Sequence, residues 1–318
     1  MGEFHCPIGA VGYQSFGCIE CGLCFAGTKD EVAKATEIIR KYIRENSFLR
    51  NNLQKLSKIA VCGKGGSGKS TITAMMAFAL RDLGYTPLVI DTDDSNAGLH
   101  RKLGIVDTPR PLISCLERFA IGEEAPDTAW LQKDPIKLSE IPQQFVKEND
   151  GIYFMMSGKI ENPLQGCSCT ISDITKQIVS NLELGEKEIL LVDHDAGIES
   201  FGRGAEQGMD TVITIVEPSF ESVGLAETIS FMAEGLGISR IRTIINKVMD
   251  EEQDEDVQDM LSERGIRFLG SLPADRELMK SNLRGQPVCS SPLQAQLEKI
   301  VTLMLDEAEM TYSKTEGR

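Results

Sequence analysis

Long apolar runs are missing from this chain. No stretch of its 318 residues is uncharged and apolar over the roughly 20 positions a bilayer-spanning helix needs, so no membrane span is expected. The N-terminus has no basic region followed by an apolar stretch, which argues against a secretory signal. Met1-Gly2 is followed by Cys6 where N-myristoylation wants Ser or Thr. Positive charge is also short: 33 Lys and Arg stand against 48 Asp and Glu, for a net charge of −15. Nucleic-acid surfaces leave a basic footprint, and anionic membranes attract basic segments, so neither partner is expected. These absences together point to a cytoplasmic protein.

What is present suffices for one large α/β domain with a small appendage, since hydrophobic residues make up 41% of the chain. In a reducing compartment, nine cysteines read as metal or redox ligands rather than a disulfide framework. They are unevenly placed. Cys6, Cys18, Cys21 and Cys24 crowd the start, and Cys167 and Cys169 form a second pair. Cys62, Cys115 and Cys289 stand alone among apolar or small neighbours and are expected to be buried small hydrophobes.

Residues 1–28 are rich in cysteine and glycine and too short to build a core, which suits a small metal-nucleated segment. Residues 29–56 form a helical linker, with Val32, Ala35, Ile39, Tyr42, Asn46, Leu49, Leu53 and Leu56 at alternating steps of three and four. That seam either pairs with another helix or packs on its own domain. The main domain is placed at residues 58–309, followed by a frayed polar tail over 310–318. Strands are predicted at Lys58–Cys62, Pro87–Asp91, Ile152–Met156, Glu188–Asp193, Thr211–Glu217, Ile241–Asn246 and Arg267–Gly270. Helical patterns lie between most of them, predicting a mainly parallel sheet flanked by helices. Residues 107–150, with five of the twelve prolines and Trp130, read as an irregular or helical insertion.

The apolar run Ile59-Ala60-Val61-Cys62 leads into Gly63-Lys64-Gly65-Gly66-Ser67-Gly68-Lys69-Ser70-Thr71, and a helical pattern follows. Strand, glycine-rich loop and helix start in this order make a phosphate-binding loop. Glycines let successive N–H groups curl around one anion, and the helix adds its positive end. Lys69 is placed to reach the β- and γ-phosphates, and Ser70 to hold Mg²⁺. Asp91 and Asp193 end predicted strands, and Asp93 and Asp195 follow two residues later. Ligands of open parallel sheets sit at the carboxyl ends of the strands, so all four carboxylates should face the triphosphate. They can ligate Mg²⁺ or orient the attacking water. Gly197 allows close backbone approach there, and His194 reads as a polar loop residue, with a relay as the alternative.

Lys64 adds a second lysine that an ordinary phosphate loop does not need. Residues 63–71 resemble the deviant Walker A motif of the group that includes the nitrogenase iron protein and the MinD/ParA-like ATPases. The resemblance implies an ATPase that works as a homodimer, with Lys64 reaching the partner's nucleotide. It implies that Asp93, in a first switch Asp91-Thr92-Asp93, positions the hydrolytic water. Asp193-His194-Asp195-Ala196-Gly197 would be the second switch. Ile245-Asn246-Lys247 and Leu272-Pro273-Ala274-Asp275 resemble adenine-contacting segments, which brings in Asn246, Pro273 and Asp275.

Two thiolates one residue apart, Cys167 and Cys169, suit a soft or borderline metal such as Ni²⁺, Zn²⁺ or cluster iron, and a symmetric dimer would supply four sulfurs. With residues 195–204, this pair resembles the CooC-type nickel-insertion accessory ATPases of carbon monoxide dehydrogenase over roughly residues 58–300. Residues 1–56 depart from that pattern. Cys18-Ile19-Glu20-Cys21-Gly22-Leu23-Cys24 resembles a ferredoxin cluster run, with Cys6 as fourth ligand to a [4Fe–4S] cluster; a zinc site, with His5 replacing one sulfur, is the rival. Three roles stay open: metal delivery to a client enzyme, an ATP-gated electron donor with a bridging [4Fe–4S] cluster, and an iron–sulfur cluster carrier.

Overall fold

The apolar runs after Lys58 become strands of one sheet. The computed structural model describes residues 34, 38, 56–93, 98–115, 128–158, 168–198, 200–201, 204, 206, 208–238, 240–288 and 292–316. The N-terminal cysteine group, nearly all of the 29–56 linker, Cys167 and Cys289 lie outside the described residues.

Strands β1 (Lys58–Gly63), β2 (Thr86–Asp91), β4 (Lys147–Asn149), β5 (Ile152–Met156), β7 (Glu188–Asp193), β8 (Thr211–Val216), β9 (Arg240–Val248) and β10 (Phe268–Pro273) make an eight-stranded sheet. Its order is β10-β9-β8-β1-β7-β2-β5-β4. All pairs are parallel except β4 with β5, which closes one edge. Two short strands, β3 (Ile136–Lys137) and β6 (Leu182–Glu183), pair apart from it. The seven predicted strands are all present, two with the same ends and five with ends moved by one to three residues.

Helices cover both faces, as a parallel sheet requires. Alternate residues of β1 show it: Ile59 and Val61 face one core, Ala60 and Cys62 the other. The first core is filled by α1 (Lys69–Asp82) and α7 (Gln294–Glu316). α1 is apolar nearly all round, with ten of its fourteen residues buried, so it is a core helix rather than a surface one. The opposite face packs against α3 (Ser168–Asn181), α4 (Phe220–Gly235) and α5 (Glu251–Glu263). A short α2 (Leu99–Lys102) follows the loop after β2, and α6 (Arg276–Leu283) follows β10 without burying any residue.

Of the two forms expected for the 107–150 insertion, the described part takes the irregular one: it holds 3-10 turns and short strands but no α-helix, since its prolines interrupt any helical run. It still builds core, with the Trp130 ring tilted against that of Phe145, centroids 5.6 Å apart. α7 runs to Glu316, across residues read as a frayed tail, because no helix breaker occurs before Gly317. Among the described residues, no helix is long and apolar enough to cross a membrane.

Candidate nucleotide site

Because seven strands run parallel, their carboxyl ends gather on one edge of the sheet. β1 lies between β7 and β8, so the loop leaving it is central. That loop turns through Lys64 to Gly68: Ser67 N–H donates to the Lys64 carbonyl at 3.1 Å, and Gly68 caps α1 in left-handed backbone. The first turn of α1 carries no acidic residue, which leaves its positive end unneutralised. Lys69 is buried, with Nζ 3.4 Å from the Lys64 carbonyl.

The acidic strand ends lie beside it. β2 and β7 pair with Asp91 opposite Asp193. Asp91 Oδ1 accepts from Asp93 N–H at 3.1 Å, and Thr92 Oγ1 donates to the Asp193 carbonyl at 2.8 Å. Asp193 is buried and accepts from Thr73 Oγ1 at 3.1 Å and from the Ser70 side chain. Burial pushes its carboxyl up to about 6, against the opposing pull of the Ser70 hydrogen bond and the Lys69 charge. A desolvated carboxylate beside a hydroxyl at the foot of a glycine-rich loop is a donor set that suits a hard divalent cation. Asp195 is half-buried on the same edge, and Gly197 N–H reaches back to the Gly63 carbonyl at 3.4 Å.

His194 is not a solvated loop residue. It is 2% exposed, its N–H bonds the Val61 carbonyl, and Nδ1 lies 3.7 Å from the buried Glu206 carboxylate. The chain is still threading the sheet edge at this position, so the imidazole turns inward.

A cavity of about 380 Å³ opens beside the loop, within the range of small-molecule sites. Asn246, Pro273 and Asp275 line it with Gly68, Thr71 and Met279. Asn246 Nδ2 donates to the Ser67 carbonyl at 2.8 Å, and a side chain at Gly68 would stand 2.4 Å from that nitrogen. Asp275 Oδ1 caps α6 through Leu278 N–H at 2.7 Å.

Lys64 Nζ is 3.3 Å from Glu217 Oε1. The other Glu217 oxygen is 3.4 Å from Lys247 Nζ, which also donates to the Gly66 carbonyl. Sequence reading missed Glu217, Lys247 and Thr73. Glu217 was within reach, since it closes the predicted strand Thr211–Glu217 on the same edge as the aspartates. Lys247 depends on a left-handed backbone turn that leaves no trace in the sequence.

Of the predicted cysteine ligands, Cys6, Cys18, Cys21, Cys24 and Cys167 lie outside the described residues. Cys169 falls in the first turn of α3, with its side chain outside the described set, and Cys167 precedes it. Among the described residues, no three His, Cys, Asp or Glu side chains are grouped to hold a metal. Cys62 is buried under the loop and its thiol is pushed well up by burial; Cys115 is half-buried and raised to about 11 for the same reason.

The chain is 36% identical over 235 residues to an uncharacterized ATP-binding protein of Methanocaldococcus jannaschii, covering 72% of this chain and 92% of that one. It is 31% identical over 234 residues to the carbon monoxide dehydrogenase accessory protein CooC of Rhodospirillum rubrum, covering 72% and 88%. The septum site-determining protein MinD of Pyrococcus horikoshii, solved with Mg-ADP, superposes with a TM-score of 0.59 over 80% of this chain and 98% of that one. At 18% identity that likeness is one of fold alone. A model of the CobQ/CobB/MinD/ParA nucleotide-binding domain matches residues 58–288. With a glycine-rich loop feeding a bare helix start beside two acid-tipped strands, and with these relatives, the chain belongs to the CobQ/CobB/MinD/ParA family of P-loop nucleotide-binding domains.

Proposed function

We propose that this protein is a dimeric ATPase whose nucleotide cycle delivers a metal or metal cluster to a client metalloenzyme, such as carbon monoxide dehydrogenase. The observation that carries the reading is the 31% identity to CooC in a chain that holds the Cys167-Ser168-Cys169 pair. Residues 63–71 act as a deviant Walker A loop: their amides and Lys69 hold the β- and γ-phosphates of ATP and then of ADP. Ser70 and Asp193 hold Mg²⁺, with Asp91 and Asp195 orienting its shell. The cation supplies charge neutralisation to the phosphates. Asp93 orients the attacking water. Asn246, Pro273 and Asp275 form the wall against the base.

Lys64 leaves Glu217 when a second protomer approaches and serves the partner's nucleotide. ATP thereby draws two copies together, and their four Cys167 and Cys169 thiolates gather around one cargo ion (nickel or zinc). Hydrolysis separates the copies and releases it. Coupling is reciprocal, so bound metal also favours the closed, ATP-bound pair. Residues 1–28 form a separate [4Fe–4S] or zinc segment on the 29–56 linker, ahead of the ATPase domain at 58–309. Its Cys-x-x-Cys-x-x-Cys spacing favours one second reading, an ATP-gated electron donor in which Cys167 and Cys169 of two subunits bridge a [4Fe–4S] cluster.

The test is iron, sulfide, nickel and zinc per dimer in anaerobically purified protein, with and without ATP, for wild type and for Cys167→Ser/Cys169→Ser. Delivery predicts an ATP-dependent nickel or zinc ion that the double variant loses while still binding ATP. A bridging cluster with a reversible paramagnetic signal supports the donor reading. Retention of the ATP-dependent nickel or zinc ion in the double variant would remove the Cys167/Cys169 site from the mechanism.

A further inference from the structure

Two described non-glycine residues have left-handed backbone, Asp150 and Lys247. Asp150 sits in a turn before Gly151, where a short polar side chain tolerates that conformation. Lys247 has no such excuse. Its φ is 66°, and it lies inside β9, where the pairing with β10 slips: Asn246 faces Leu272 and Val248 faces Pro273, so Lys247 is bulged out. A strained bulge in a strand re-aims a side chain. Here it turns Lys247 back towards the glycine-rich loop, where Nζ donates to the Gly66 carbonyl and lies 3.4 Å from Glu217 Oε2. The preceding residue, Asn246, is buried and donates to the Ser67 carbonyl at 2.8 Å. Two successive residues of β9 therefore grip two successive carbonyls of the loop from outside. In a trans peptide the C=O and the following N–H point in opposite directions. Drawing the Ser67 carbonyl out turns Gly68 N–H inward, and fixing the Gly66 carbonyl sets the plane that carries Ser67 N–H.

We propose that Lys247 is a positioning residue for nucleotide phosphate, holding the loop's peptide planes together with Asn246, with Glu217 as its counter-ion. This rests on the reading of residues 63–70 as the phosphate site. Lys247 also lines the base cavity, but the role assigned to it is exerted through the loop backbone, and its strained backbone is a cost in stability that serves binding.

Three variants separate binding from stability. Asparagine tolerates left-handed backbone, so Lys247→Asn should melt at or above the wild-type temperature; Lys247→Ala should melt lower. Both lose the ammonium, so both should bind ATP about 5- to 10-fold more weakly, the range for losing one partly exposed, charge-assisted hydrogen bond. Lys247→Arg should restore affinity to within about 2-fold, since a guanidinium also donates to a carbonyl. Calorimetric ATP affinity and melting temperature are read on the full chain. Wild-type affinity in Lys247→Asn, or affinity that simply tracks melting temperature across the three, would overturn the proposal. Failure of the wild-type protein itself to bind ATP would instead sink the nucleotide assignment beneath it.

Discussion

Replacing Gly63 by alanine should damage this protein far more than the same change three residues later at Gly66. Gly63 is the last residue of β1, pairs with Ile215 of β8, and has φ 143°. A Cβ built there stands 2.4 Å from the Ile215 carbonyl oxygen and 3.2 Å from Ser67 Oγ. Neither strand has room to yield, because both lie at the centre of the sheet. The change therefore adds a backbone clash to an unfavourable φ, and a cost of about 3–5 kcal/mol is expected, in the range of severe overpacking and strain. Gly66 has φ 83°, but its added Cβ meets nothing within 4 Å. Only the left-handed penalty remains, about 1–2 kcal/mol, partly offset because alanine also narrows the unfolded ensemble. Urea denaturation of nucleotide-free protein should separate the two by about 2–3 kcal/mol, or by about 4–12 °C in melting temperature for a domain of this size. Equal losses in the two variants would mean that the clash at Gly63 does not govern its cost, and the argument from the β1–β8 register would fail.

Two further outcomes follow from the same edge of the sheet. Lys69→Ala should abolish ATP binding measured by calorimetry while the circular dichroism spectrum stays native; retained affinity would refute the loop assignment. Asp193 gives a pH dependence. With its carboxyl raised by burial to about 6, the folded protein holds a proton between about pH 4 and 6 that the unfolded chain has lost. Stability of magnesium-free protein from this group is fullest below that window and falls as pH rises through it, by at most about 3 kcal/mol. Asp193→Asn should remove this component, so urea midpoints of wild type and variant should diverge as pH rises from 5 to 7, with the variant the more stable. Parallel curves would show that burial does not control this carboxyl.

Much of the fold was open to reading because a parallel sheet buried on both faces writes its strands as short apolar runs, and Glu188–Asp193 and Ile152–Met156 appear with the ends read from sequence. The glycine-rich loop was equally legible, since glycine spacing is itself the chemical requirement. The insertion at 107–150 was not, because its core residues sit on short irregular pieces, Trp130 on a 3-10 turn and Phe145 in a plain turn, with no period to detect. His194 looked like a loop residue because a polar side chain just past a strand end gives no sign of the buried carboxylate, Glu206, that awaits it twelve positions on.

Sequence alone determined the parallel α/β class, the position of the glycine-rich loop and the strand-end aspartates, all of which follow from local patterns along the chain. Only the tertiary structure decided that Lys64 rests on Glu217, that Asn246 and Lys247 grip the loop from β9, and that burial raises Asp193. Those facts join residues some 120 to 180 positions apart, and such joins arise from how strands order themselves in a sheet, which no local pattern encodes.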